Sequence, residues 1–195
     1  MTVWVWRHPK PHGVAGLCIG CIDVPVDRRK AKRLAHRIRQ HARRDGGPRV
    51  VLTSPLQRSA SVGRWLKRWG WAHHVDARLS EMDFGTWQGR RWDDIGPAAV
   101  DEWCAQFAQP RACGGESVAQ LLARCAAWLA RPGQPAPLCV VGHAGWISAG
   151  RWLAQHPDQI PSAADWPPAV GHGVLVRLAG AASYAPSRAA AKSRS

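Results

Sequence analysis

The chain has 195 residues, 46% of them apolar, which is enough for a single domain with a sizeable buried core. Its 27 Lys and Arg against 13 Asp and Glu leave a formal net charge of +14, a balance that favours anionic partners. No apolar run approaches the roughly 18 residues of a membrane span, and no leader-like segment precedes the first apolar run, so the expectation is a cytoplasmic protein with no membrane partner.

Val3-Trp4-Val5-Trp6 is an apolar run rich in β-branched and aromatic residues, and Pro9 stops it, so Arg7-His8 sits at the end of a buried strand. In an open α/β sheet that is where ligands bind. Residues Arg28 to Arg44 form a strongly basic segment in which Ala31, Leu34, Ala35, Ile38 and Ala42 recur at helical spacing, predicting an amphipathic helix. Val50-Val51-Leu52-Thr53-Ser54 reads as a second strand, broken at Pro55. A helix over Pro55 to Gly70 follows, with Arg58 in its first turn and Val62, Trp65, Leu66 and Trp69 inward.

Glu81 lies in a loop-like stretch ahead of Phe84, Gly85, Trp87 and Gly89. Ser117 is placed to cap a helix whose apolar stripe is Val118, Leu121, Leu122, Cys125, Trp128 and Leu129. Leu138 to Val141 is another apolar strand, ending in Gly142-His143-Ala144-Gly145, and a helix after His143 would point its positive dipole end at that histidine. Gly173 to Leu178 predicts a last strand, and residues 181–195 read as a disordered basic tail following one domain over 1–180. The expected architecture is α/β: a three-layer sandwich with a mostly parallel, doubly wound sheet and helices on both faces.

Two Arg, two His and one Glu thus fall at the edges of predicted elements: Arg7, Arg58, His8, His143 and Glu81. Phosphoryl transfer needs these types. Guanidiniums grip phosphate oxygens in bidentate forks, a neutral imidazole can attack phosphorus and hold the group covalently, and a carboxyl group can protonate the leaving alkoxide. Nothing in that scheme calls for a metal or other cofactor.

Taken together, Arg7-His8, Ser54-Pro55-Leu56-Gln57-Arg58, Glu81 to Gly89, Gly114-Gly115-Glu116-Ser117 and Gly142-His143-Ala144-Gly145 resemble, in order, the segments of the histidine phosphatase (phosphoglycerate mutase-like) superfamily. The resemblance implies that His8 is the phospho-accepting nucleophile, that Arg7, Arg58 and His143 hold the phosphoryl group, and that Glu81 is the proton donor. Gly20, the amide of Ala144 and Glu116 join them on the phosphate side, although for Glu116 a helix-capping role is an equal reading. The opening Arg7-His8-Pro9-Lys10-Pro11, the run Gly16 to Gly20 and Asp23-Val24-Pro25-Val26 are most similar to the α-ribazole phosphatase branch, which acts in cobalamin synthesis. Ile19 and Ile22 stand where that branch commonly has Tyr and Thr.

The implied activity is a metal-independent phosphomonoesterase acting on α-ribazole 5′-phosphate. A broad-specificity sugar or nucleotide phosphatase, or a mutase-like enzyme, keeps the same machinery with another guest; the short chain favours hydrolysis, since a mutase must cover its site against water. From another class, a non-catalytic module could bind nucleic acid through the Arg28 to Arg44 stripe. The simpler reading of that stripe is a solvated helix face. The expected partner is a small phosphorylated metabolite, with nucleic acid a minor alternative and homo-oligomerisation open. The six cysteines read as reduced thiols, since the Cys18–Cys21 spacing has no second ligand pair to complete a zinc site. Trp87 and Trp92 lie close enough in sequence to Glu81 to line a pocket. His12, His36, His41, His73, His74, His156 and His172 are assigned to packing or surface.

Overall fold

Alternation within the first strand sorts the molecule into layers. In the computed structural model, which describes residues 2–109, 114–131 and 137–179, strand β1 spans Thr2–Arg7. Successive side chains of a strand point to opposite faces. Val3 and Val5 therefore join one apolar cluster with Leu52, Leu138 and Val140, while Trp4 and Trp6 join another with Val51, Cys139 and Val141. A sheet apolar on both faces needs helices on both.

The order along the chain is β1, α1 (Arg28–Arg44), β2 (Val50–Thr53), α2 (Gln57–Arg68), β3 (Ala72–Val75), two short 3-10 turns, α3 (Trp92–Ile95), α4 (Pro97–Ala105), α5 (Val118–Leu129), β4 (Leu138–Gly142), α6 (Ala144–Gln155) and β5 (Leu175–Ala179). The strands lie side by side as β3-β2-β4-β1-β5. All neighbours are parallel except β5, which runs antiparallel to β1. Helices α5 and α6 cover the valine face of β1, and α1 and α2 cover the tryptophan face. The three-layer, mostly parallel α/β expectation therefore holds.

Helix α1 has the bounds its periodicity predicts, with Ala31, Leu34, Ala35, Ile38 and Ala42 buried and Asp27 capping its start by accepting from Lys30 N at 2.9 Å. Helix α5 begins at Ser117, where the Ser117 hydroxyl and the Gln120 side chain satisfy each other's backbone N–H groups, and the whole predicted stripe is buried. Helix α2 is shorter than predicted. Leu56 is extended and Trp69 closes the last turn, so Val62 and Leu66 are buried while Trp65 and Trp69 are only partly covered. Strand β3, Ala-His-His-Val, escaped the sequence reading because it is an edge strand with little burial to impose a pattern.

From the segment between β3 and α5, Trp87 and Ile95 pack with Phe84, Trp92 and Trp103, and with Cys18 of the β1–α1 connection, into a third small cluster. This excursion forms a wall beside the carboxyl ends of β1 and β4. Among the described residues no helix is long and apolar enough to cross a membrane. The expected tail over 181–195 and Cys113 lie outside the described residues; Cys18, Cys21, Cys104, Cys125 and Cys139 are in no disulfide.

Candidate active site

The carboxyl ends of β1, β4 and β2 lie next to one another, so Arg7-His8, His143 and Ser54 converge although they are far apart in sequence. His8 leaves β1 with its N–H bonded to Gly142 O at 3.0 Å, and its ring centroid stands 5.0 Å from that of His143. Its Nδ1 lies 2.8 Å from the Pro9 carbonyl. A carbonyl only accepts, so Nδ1 carries the proton and Nε2 keeps its lone pair. Burial holds the His8 pKa well below its ordinary value, and the charges of Arg58, His172 and Arg7 push the same way against the Pro9 carbonyl. The ring is neutral at neutral pH.

His143, the residue before α6, is fully buried. Its Nε2 shares a 2.7 Å hydrogen bond with Ser54 Oγ, and its Nδ1 is buried without a partner. Burial, followed by the neighbouring His8 and Arg58, lowers its pKa well below normal. Arg58 reaches in from the first turn of α2, only 2% exposed, with Nη1 donating to Ile22 O and Nη2 to Gly20 O, each at 2.6 Å. Those carbonyls fix the plane of the guanidinium and leave its other donors available. Arg7 donates from Nη1 to Val170 O at 2.6 Å, and its Nε is buried and unpaired. For both arginines burial weighs against the charge and Glu81 favours it.

Glu81 follows the 3-10 turn at Ala77–Leu79. Its Oε1 accepts from Met82 N at 3.0 Å and from Gly145 N, in the first turn of α6, at 2.9 Å. Two amides on one oxygen leave Oε2 as the atom free to carry a proton. A Cβ at Gly145 would stand 2.5 Å from Glu81 Oε1, so any side chain there would push the carboxyl out of place.

Arg7, His8, Gly20, Arg58 and Glu81 line one cavity of about 290 Å³. The rest of its wall is mainly apolar: Pro11, Val14, Ala15, Leu17, Ile19, Phe84 and Trp92, with Lys10 and His172. His143 does not itself line the cavity, its ring centroid standing 5.0 Å from that of His8, and Ala144 opens α6 next to it. Glu116 is elsewhere. It forms a two-pronged ion pair with Arg124, at 2.8 and 2.7 Å, and lines a neighbouring depression of about 430 Å³ that shares Glu81 with the His8 cavity. Arg124 in turn donates to the carbonyls of Arg78 at 2.7 Å and Ser80 at 3.0 Å. The Gly-Gly-Glu-Ser block thus touches the loop that carries Glu81, not the cavity that holds His8. Trp92 lines the cavity; Trp87 is buried in the adjoining cluster.

Sequence reasoning passed over His172 and Ser54. His172 bonds the His8 carbonyl at 3.1 Å, with ring centroids 5.2 Å apart. The position of His172 comes from long-range pairing: Arg7 N donates to Val174 O and Gly173 N to Arg7 O, and Gly173 turns with φ +72°. A histidine set between two glycines just ahead of a strand was the one available clue.

The family model described as the histidine phosphatase superfamily (branch 1) matches residues 3–177. Among solved structures, the chain is similar to a mycobacterial glucosyl-3-phosphoglycerate phosphatase in complex with inorganic phosphate, with 26% identity over 92% of this chain and 90% of that one and a TM-score of 0.72. The VO3 complex of that phosphatase matches with 24% identity over 93% and 94% of the two chains and a TM-score of 0.75. The α-ribazole phosphatase from Shigella flexneri matches with 24% identity over 91% and 89% and a TM-score of 0.69. Among curated proteins no sequence matches the chain.

Proposed function

Because the chain belongs to the histidine phosphatase superfamily, we propose that it is a cytoplasmic, metal-independent phosphomonoesterase working through a phosphohistidine at His8. One observation carries this reading. A neutral imidazole with its Nε2 lone pair free lines one cavity with Arg7 and has its ring 5.0 Å from that of His143, and both neighbours hold a buried nitrogen with no partner, Arg7 Nε and His143 Nδ1. Buried polar atoms without partners are costly, and a phosphoryl group supplies acceptors for both.

In the first step the Nε2 lone pair of His8 forms a bond to phosphorus while the bond from phosphorus to the alcohol oxygen breaks. Glu81 gives the proton on Oε2 to the departing alkoxide. With the Ser54 hydroxyl donating to Nε2, His143 directs an Nδ1–H at a phosphoryl oxygen, and Arg7 and Arg58 balance charge on the others. In the second step water attacks phosphorus, its proton passes to Glu81, and the P–N electron pair returns to His8.

The substrate this reading favours is α-ribazole 5′-phosphate. Beyond the phosphate end the cavity offers Val14, Ala15, Leu17, Ile19, Phe84 and Trp92. Such a wall suits an alcohol bearing an apolar aromatic ring better than one covered in hydroxyls. A second reading, a carboxylated sugar ester such as glucosyl-3-phosphoglycerate, is favoured by Lys10 on the same wall. Steady-state kinetics on synthetic α-ribazole 5′-phosphate and a panel of sugar, nucleotide and glycerate monoesters decide between them. The first reading expects kcat/KM at least about 10-fold higher for the ribazole ester, and equal values across the panel remove it.

A further inference from the structure

Helices α1 and α2 enclose a groove of about 580 Å³, larger than the His8 cavity and sharing no lining residue with it. Its wall combines Arg28, Arg64, Lys67 and Arg68 with Trp65 and the apolar Pro25, Val26 and Ala31. Three cations crowd one indole: Arg28, Lys32 and Arg68 lie 5.2, 5.3 and 5.1 Å from the Trp65 ring centroid. Among the described residues none of Arg28, Lys32, Arg64, Lys67 and Arg68 forms an ion pair with a carboxylate. Asp23, at the Gln57 end, is bonded to the Gln57 amide N–H at 2.6 Å and its side-chain amide at 3.0 Å. Ser61 also lines the groove, with its Oγ buried and unpartnered.

An indole face offsets part of the repulsion among clustered cations; counter-anions offset the rest. A solvated basic helix face, the simple reading of α1, would be convex and would not collect apolar side chains and a bare hydroxyl into the same hollow. A cavity of this size lies within the range of small-ligand sites. Guanidiniums one helical turn apart, at positions 64 and 68, are spaced to grip neighbouring phosphates. An extended nucleic acid would call instead for an open stripe of charge.

We propose that the α1–α2 groove is a second binding site, for a compact organic polyphosphate of the nucleoside di- or triphosphate class. Arg28, Arg64, Lys67 and Arg68 take the phosphates, and Pro25, Val26 and Trp65 take the uncharged part. The site is independent of the chemistry at His8.

Calorimetric titration with adenosine 5′-(β,γ-imido)triphosphate, at about 100 mM salt to suppress diffuse attraction, tests it. The Arg64→Gln/Arg68→Gln protein should bind about 10-fold more weakly or worse, while its phosphatase activity on a small monoester stays unchanged. Arg33→Gln/Arg43→Gln, which removes the same charge from the exposed face of α1, should bind within about two-fold of the unaltered protein. Saturating orthovanadate should leave binding intact. Loss of binding in vanadate would assign the ligand to the His8 cavity, and equal loss in both double variants would reduce the site to net charge. No binding at all, or tighter binding of a ten-residue oligothymidylate than of the triphosphate, would likewise overturn the proposal.

Discussion

His172 Nδ1 donates to the main-chain carbonyl of His8 at 3.1 Å, tying the segment before β5 to the residue that leaves β1. This bond steadies the backbone under the His8 ring. His172→Ala should lower kcat by about 10-fold with little change in KM, because a misaimed nucleophile loses rate more than affinity. His172→Asn, whose amide can donate to the same carbonyl, should restore most of it. An alanine variant with unaltered kcat would show that the bond has no part in aiming His8.

His8→Ala should reduce turnover by at least about 10³-fold, and acid-labile phosphate should appear on the unaltered protein during turnover but not on the variant. Activity of the unaltered protein should persist in excess chelator. Strong inhibition by chelation would contradict the metal-free scheme.

Arg58→Ala removes a phosphate grip and frees the carbonyls of Gly20 and Ile22. A loss of about 10² to 10³ in kcat is expected. Arg58→Lys should rescue it poorly, since an ammonium cannot reproduce the fork. Full rescue by lysine would reduce the role of Arg58 to charge alone.

Gly145→Ala places a methyl group against Glu81 Oε1. The displaced carboxyl should protonate leaving groups badly, lowering kcat about 10²-fold for an alkyl phosphate. With p-nitrophenyl phosphate, whose leaving group needs no proton, the phosphorylation step, read as the pre-steady-state burst of nitrophenolate, should be nearly as fast as before. An equal loss in that step for both substrates would argue against Glu81 as the acid.

The acid stability of the fold follows from His8 and His143. Both have pKa values lowered mainly by burial, while in the unfolded chain each protonates near its ordinary value of about 6.5. The unfolded state then binds more protons below that pH, so stability is whole above about pH 6.5 and falls as pH drops through and below it. Urea midpoints between about pH 7.5 and 4.5 should show that fall, and it should be shallower for His143→Gln. A flat profile would mean that the rings are not held neutral.

Much of the scaffold was legible in the linear chain. Helix α1 and the buried stripe of α5 follow from 3.6-residue periodicity and a capping serine, and β1 and β4 from apolar runs ended by Pro9 and by Gly142-His143. The edges of predicted elements also brought Arg7, His8, Arg58, His143 and Glu81 under suspicion before any contact was visible, and resemblance to a family gave each a role. Such signals are local, because periodicity and caps act through neighbours three or four residues away.

What folding alone decided involves partners from distant elements. Glu116 was a candidate for the phosphate, yet it pairs with Arg124 and so braces the Glu81 loop, an outcome set by how α5 packs under residues 78 to 81. His172 looked like surface until antiparallel pairing with β1 laid it beside His8. Residue types and strand ends specify which chemistry is on offer. Which groups meet depends on sheet order and helix docking, and these are fixed by burial summed over the whole core.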